Sequence, residues 1–289
     1  MNDERQRLLW AVAAFQVLRT PTRITAELGD PRSAADLLAE LSDTDRERVQ
    51  VTTDKLIDAG AGVLFLSDDS YPDRLRSIAS PPALLFFVGE LSLLDSPAVG
   101  MCGSRDASDV GLAAARLCGE QVARHGLTVV SGYARGVDMA THIGALEAAG
   151  STIIVLAEGV LHFRWKRELQ AMRADQSRVL VLSQFPPGQT WNVGAAMTRN
   201  VVISALGRAL VVVEARETGG TFDAALQALR LGRPVFALDF SVGAPRGNAL
   251  LFEKGARRIA STGDLHRELD AVKEPTLAAE QMSLAMPAH

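Results

Sequence analysis

Cysteine is scarce here: 289 residues contain only Cys102 and Cys118, both in apolar surroundings and neither with a partner at metal or redox spacing. A disulfide scaffold is excluded, and the pair reads as reduced core thiols of a cytoplasmic protein. Long apolar runs are missing as well. The longest near the start, Leu8 to Leu18, follows Asp3-Glu4 rather than a basic stretch and has no small-residue cleavage site, so neither a signal peptide nor a membrane span is expected. Five histidines are scattered without ligand spacing. There is no G-x-x-x-x-G-K-[ST], no H-E-x-x-H, no G-x-S-x-G, and no G-x-G-x-x-G after the first strand of the alternating region. The expectation is a binding protein rather than an enzyme, with no metal and no cofactor.

What is present is an ordinary globular composition, 47% hydrophobic and 22% charged. The length exceeds the ~100–200 residues of a usual domain, which predicts one large domain with a smaller companion. The net charge of −4 argues against a nucleic-acid binder only until it is resolved along the chain. Residues 1–95 hold 10 Lys and Arg against 16 Asp and Glu, residues 96–262 hold 18 against 13, and residues 263–289 hold 2 against 5. The middle is thus positive, and 16 of its 18 cations are arginines, whose planar forks match phosphates and stack on bases. A GC-rich genome would produce the same arginine bias.

Residues 5–60 repeat apolar positions near every 3.6, which predicts several short helices in a helical domain over 1–60. Short apolar runs at 63–66 and 83–88, bounded by Asp, Pro and Gly, read as buried strands. From Ala98, strand candidates at 98–102, 127–131, 152–156, 178–183, 209–214 and 234–238 alternate with helices at 109–125, 136–149, 164–174, 195–206 and 221–231. Such alternation needs right-handed crossovers and a parallel sheet with helices on both faces. The fold class is therefore α/β, an extended Rossmann-like, doubly wound and mostly parallel sheet over 61–262 behind a small helical domain. Residues 263–289 read as a short polar tail, disordered beyond a final short helix.

Open parallel sheets bind ligands beyond the carboxyl ends of their strands, and four loops fall there. Gly103-Ser104-Arg105 precedes a helix whose N-terminus favours an anion. Ser131-Gly132-Tyr133-Ala134-Arg135-Gly136 repeats that logic on the next strand. Asp138 and His142 lie i, i+4 on the following helix, where a capping or orienting contact is a commoner fate than acid–base chemistry. The third loop, 183–188, leads to Arg199-Asn200, with Tyr133, Phe185 and Trp191 as aromatics on which an unpaired base can stack, although burial is the commoner fate of each. The fourth runs from Glu214 through Gly219-Gly220-Thr221 into a helix; its acids repel phosphate, so Glu214 reads equally as an orienting group.

Taken in order, Ser70-Tyr71-Pro72, Pro81-Pro82, Gly103-Ser104-Arg105, the run 131–142 (SGYARGVDMATH), 144–146, Arg199-Asn200, 211–215 (VVVEA), 231–238 (LGRPVFAL), Gly247-Asn248 and Gly255-Ala256 resemble the DprA/Smf (DNA-processing protein A) family across 60–260. The resemblance implies an extended Rossmann fold behind a helical domain similar to a sterile-alpha-motif fold. It also implies binding of single-stranded DNA, homodimer formation, and loading of a RecA-type recombinase during natural transformation. The nucleic-acid-binding set it implies, together with the loops above, is Gly103, Ser104, Arg105, Ser131, Gly132, Arg135, Gly136, Arg199, Asn200, Gly219, Gly220 and Thr221. The sequence departs from the family pattern in several places. Ser151 stands where a basic residue is usual, Val201 replaces a second arginine, Phe163-Arg164-Trp165 replaces a tyrosine-proline element, Thr218-Gly219 replaces a serine-glycine pair, and the winged-helix domain of many members is expected to be absent. Two other readings stay open: a Rossmann sensor or enzyme for a nucleotide or nucleotide-derived small molecule, and a scaffold that binds only protein.

Overall fold

The computed structural model describes residues 2–28, 31–172, 175–240 and 245–273. Four helices open the chain: α1 (Asn2–Leu18), α2 (Pro21–Glu27), α3 (Pro31–Glu40) and α4 (Asp43–Asp58). Their starts are set locally. Thr20 Oγ1 accepts from Arg23 N at the head of α2, and Ser42 Oγ accepts from Asp45 N at the head of α4. Leu8, Val12 and Phe15 of α1 and Leu56 of α4 are buried against Val63, Phe65 and Phe86, with the Phe15 and Phe86 rings 5.9 Å apart. The helical part thus shares its apolar core with the first two strands.

Among the described residues the sheet has nine strands. In chain order they and their connectors are β1 (Ala61–Phe65), α5 (Asp73–Arg76), β2 (Leu84–Gly89), β3 (Ala98–Cys102), α6 (Asp109–Arg124), β4 (Thr128–Ser131), α7 (Val137–Glu147), β5 (Thr152–Val155), β6 (Val179–Ser183), α8 (Val193–Leu206), β7 (Leu210–Val212), α9 (Gly220–Arg230), β8 (Val235–Leu238), α10 (Arg246–Glu253), β9 (Arg257–Ile259) and α11 (Thr262–Lys273). The spatial order is β1-β2-β6-β5-β4-β3-β7-β8-β9. β1–β2 and β2–β6 pair antiparallel, and every other neighbour is parallel. From β3 the chain first winds toward β6 and then, through α8, crosses back to β7 on the other side of β3. This reversal splays the loops after β3 and β7 and opens a crevice at the carboxyl edge.

Two expectations from the sequence are corrected. The helix expected over 164–174 is absent from its described part: residues 164–172 form no α-helix, and 167–172 make only 3-10 turns. The Tyr133 hydroxyl accepts from Lys166 N at 2.9 Å and donates to Arg164 O at 3.1 Å, which ties the backbone of the segment to a distant loop before a helix can start. The chain from 263 to 273 is no polar tail either, because Leu265, Leu269 and Val272 of α11 are buried against Val122 and Ile259. The expected disorder near the C-terminus falls on 274–289, outside the described residues. Among the described residues no helix is long and apolar enough to cross a membrane. Cys102 and Cys118 are free and buried; burial pushes both thiols up, that of Cys118 to about 12.

Candidate nucleic-acid interface

Loops from β3, β4 and β7 and the start of α8 meet around a cavity of about 330 Å³ lined by Ser104, Arg105, Trp191, Arg199, Arg216 and Gly220, among others. A second cavity of about 340 Å³ shares Arg105, Ala134, Trp191 and Arg199 with it and adds Tyr133 and Lys166. Together they make one cleft at the carboxyl edge of the sheet.

The loop after β3 is pressed onto the head of α7. At Gly103 a Cβ would fall 2.7 Å from Val137 Cβ, and Val137 N donates to Ser104 O at 3.2 Å. Ser104 Oγ accepts from Asp106 N and shapes the turn. Arg105 is exposed, with its guanidinium 4.8 Å above the Trp191 ring. Arg135 is 76% exposed and pairs with Asp106 at 2.6 Å, while Arg216 reaches the same carboxylate at 3.4 Å. Exposed pairs of this kind are worth at most about 1 kcal/mol, so a phosphate can replace Asp106 as their partner.

The three helix heads differ. That of α6 does not await a ligand: Ser108 caps it, and Glu214 accepts from Ser108 N at 3.0 Å and from its hydroxyl, so the resident carboxylate sits where the sequence placed an external anion. Glu214 is thereby an orienting group. α7 starts after Gly136 with its first N–H already given to Ser104 O. α9 starts after Gly219 without a side-chain cap, and Gly219, Gly220 and Thr221 all line the cavity. Its positive end is the one open to an anion.

Arg199, Asn200 and Ser131 are not the outward contacts the sequence suggested. Arg199 is 6% exposed; its Nη1 donates to Val155 O and its Nε to Asn200 Oδ1 at 3.1 Å. Asn200 spends its amide on Gly220 O at 3.1 Å. Ser131 is wholly buried and donates to Met101 O at 2.8 Å. Gly132 is buried as well, in a space bounded by the Arg199 guanidinium and the Asp138 carboxylate that leaves no room for a side chain. Arg199 still lines the cavity wall, where burial lowers its proton affinity and Asp138 opposes that effect. Of the aromatics, Trp191 is 44% exposed and Tyr133 half-buried at the cleft, whereas Phe185 is buried.

Asp138 and His142 do not bond. Asp138 accepts from Ala134 N at 3.2 Å. His142 bonds Gly132 O through Nε2 at 2.6 Å and Thr152 Oγ1 through Nδ1 at 2.7 Å. A carbonyl only accepts, so the proton of the neutral ring sits on Nε2. Burial holds the imidazole below its ordinary value. An unfolded histidine titrates near 6.5, so the stabilisation is fully present above that pH and is lost as the pH falls through the lowered folded value. Urea midpoints of the wild type are expected to fall more between pH 7.5 and 5.5 than those of His142→Gln; equal falls would place the loss elsewhere.

Sequence reasoning passed over Asp106, Lys166 and Arg216. Asp106 stands beside Arg105 and Arg216 stands within the fourth loop, whereas Lys166 left no local signal. Lys166 is half-buried, and its Nζ donates to Tyr133 O and lies 4.4 Å from the Tyr133 ring centroid.

The model of the family described as DNA recombination-mediator protein A matches residues 62–270. The DNA processing protein DprA of Bacillus subtilis is 34% identical over 216 residues, which is 73% of this chain and 72% of that protein. The X-ray structure of DprA from Streptococcus pneumoniae superposes with a TM-score of 0.68 at 29% identity, over 83% of this chain and 82% of that one. A Helicobacter pylori DprA structure, described for its single-stranded DNA binding mode, gives a TM-score of 0.63 at 24% identity, over 73% and 95%, and bears on the fold alone. With the β3 and β4 loops, the switch-point cleft and most of the sheet all inside the matched span, this chain belongs to the DprA/Smf family of DNA recombination-mediator proteins.

Proposed function

We propose that this chain binds single-stranded DNA in the cleft, without a catalytic step, and acts in DNA uptake or recombination. The observation that carries this reading is the convergence of exposed Arg105, Arg135 and Arg216, the uncapped head of α9 and the half-exposed Trp191 on one edge. Cations and a helix N-terminus take phosphates, and an indole takes an unpaired base, with little preference for sequence. Three titratable groups beside the cleft are committed to structure: Glu214 to the head of α6, Asp138 to the 132–136 turn, and His142 to Gly132 O and to Thr152 of β5. Homodimer formation and transfer of the strand to a RecA-type recombinase belong to the same proposal; analytical ultracentrifugation with and without DNA, and pull-down of the recombinase, read them out.

The test is fluorescence anisotropy of a ~20-nucleotide single strand at several salt concentrations, against a duplex. Each phosphate contact contributes a slope of about −0.7 in log K against log salt. Arg105→Ala combined with Arg135→Ala, both exposed, is expected to flatten that slope by about 1.4 and to weaken binding at least about tenfold. A slope unchanged in the double variant would remove the cleft from the binding surface. Cavities of this size also suit a nucleotide, and tight, salt-insensitive binding of a mononucleotide with none of the strand would favour that reading instead.

A further inference from the structure

We propose that Phe163–Arg167 forms a second subsite for an unpaired nucleobase and its phosphates, joined to the cleft through Tyr133, so that a single strand held in the cleft continues over the groove beside Trp165. The inference rests on the single-strand reading above. It concerns a segment where this sequence departs from the family pattern.

Phe163-Arg164-Trp165-Lys166 alternates aromatic and cation, and Arg167 adds a further cation. A helix would scatter these side chains around its axis. Held non-helical by Tyr133, the segment instead lines up three rings: Tyr133 to Phe163 at 5.4 Å between centroids, then Phe163 to Trp165 at 5.5 Å. Tyr133 and Lys166 belong to the cleft. Phe163 and Trp165 line a separate groove of about 420 Å³, together with Arg164, Val88 and Val160. The aromatic row therefore spans both spaces.

Packing alone does not account for this surface. Phe163 and Trp165 rest on Met139, Leu146 and Leu169, yet both stay only half-buried. Arg164 and Arg167 are exposed and form no ion pair among the described residues, whereas neighbouring Arg135 and Arg178 hold Asp106 and Asp175. Arg164 donates from Nη1 to Leu161 O at 2.9 Å and Phe163 O at 2.6 Å. Guanidinium groups without a carboxylate partner beside open aromatic rings are the chemistry that binds a single strand through its backbone and its bases at once. Among the described residues Asp58 is the one carboxylate that lines the groove, and Arg164 is its one cation.

The experiment is anisotropy of the labelled ~20-nucleotide strand over a salt series with wild type, Arg164→Ala/Arg167→Ala and Trp165→Leu. The arginine variant is expected to flatten the salt slope by about 1.4, the share of two phosphates. Trp165→Leu keeps an apolar side chain and is expected to weaken binding about 5- to 100-fold, the value of one lost stack, with the slope unchanged. A merely structural role for Trp165 predicts no such separation. If Trp165→Leu fails to fold by circular dichroism, the arginine variant, altered only at exposed positions, decides alone. Wild-type affinity and slope in the variants would overturn the subsite and leave the cleft standing. No binding by the wild type would overturn both.

Discussion

Gly136→Ala is expected to lower the melting temperature and to weaken single-strand binding more than tenfold even where the variant is fully folded. Gly136 has φ +82° and ψ −133°, a conformation that residues with a Cβ avoid, at a cost of about 1–3 kcal/mol. A methyl there would also meet two backbone oxygens, Ser104 O and Arg105 O, the latter at 2.6 Å. Backbone cannot swing aside as a side chain can, so the loop that carries Arg105 must move, and a displaced donor no longer meets its phosphate. Gly126→Ala is the matched control: φ is +70°, nothing lies within 4 Å of the added carbon, and the site is remote from the cleft. Strain alone lowers the melting temperature of both variants. Only Gly136→Ala should lose DNA affinity, and equal affinities in the two would refute the contact between the loops as the cause.

Asn248→Ala is expected to produce the largest loss of stability. Asn248 is wholly buried, and its Oδ1 accepts from Ala215 N at 2.8 Å while its Nδ2 donates to Val213 O and Leu238 O, each at 2.8 Å. One side chain thus closes the frayed carboxyl ends of β7 and β8. Truncation leaves three backbone groups without partners in a dry interior, at about 1–3 kcal/mol each, or about 3–9 kcal/mol together. That corresponds to a melting temperature lower by roughly 10 °C or more. Asn248→Asp should fare no better, because a carboxylate would face two carbonyls. Urea denaturation checks both variants; a loss below about 1 kcal/mol would show that the three groups find other partners. The same change frees the loop bearing Glu214 and Arg216, so DNA affinity should fall with stability.

The core of the fold was legible because it is written locally. Apolar runs of four to six residues gave β3 to β8, and the stretches between them gave α6 to α9, with ends shifted by a residue or two. Residues 164–172 were misread because Arg164 and Lys166 are tied to Tyr133, more than thirty residues away. α11 was missed as a core element because its three buried positions read as isolated leucines and a valine in a polar stretch, and only the neighbouring sheet makes them a face.

The cleft divides in the same way. Sequence by itself determined that glycine-rich loops follow consecutive parallel strands and that arginines stand in them, since strand–loop–helix order is a property of the chain. It could not rank those arginines, because Arg105, Arg135 and Arg199 look alike along the chain. Only tertiary structure turned Arg105 onto Trp191, set Arg135 against Asp106, and buried Arg199 between Val155 O and Asn200. It also filled the head of α6 with Glu214, 106 positions after Ser108, and left the head of α9 open. The reason is physical: a helix N-terminus or a guanidinium accepts whichever anion the fold brings to it, and local sequence does not encode which one arrives.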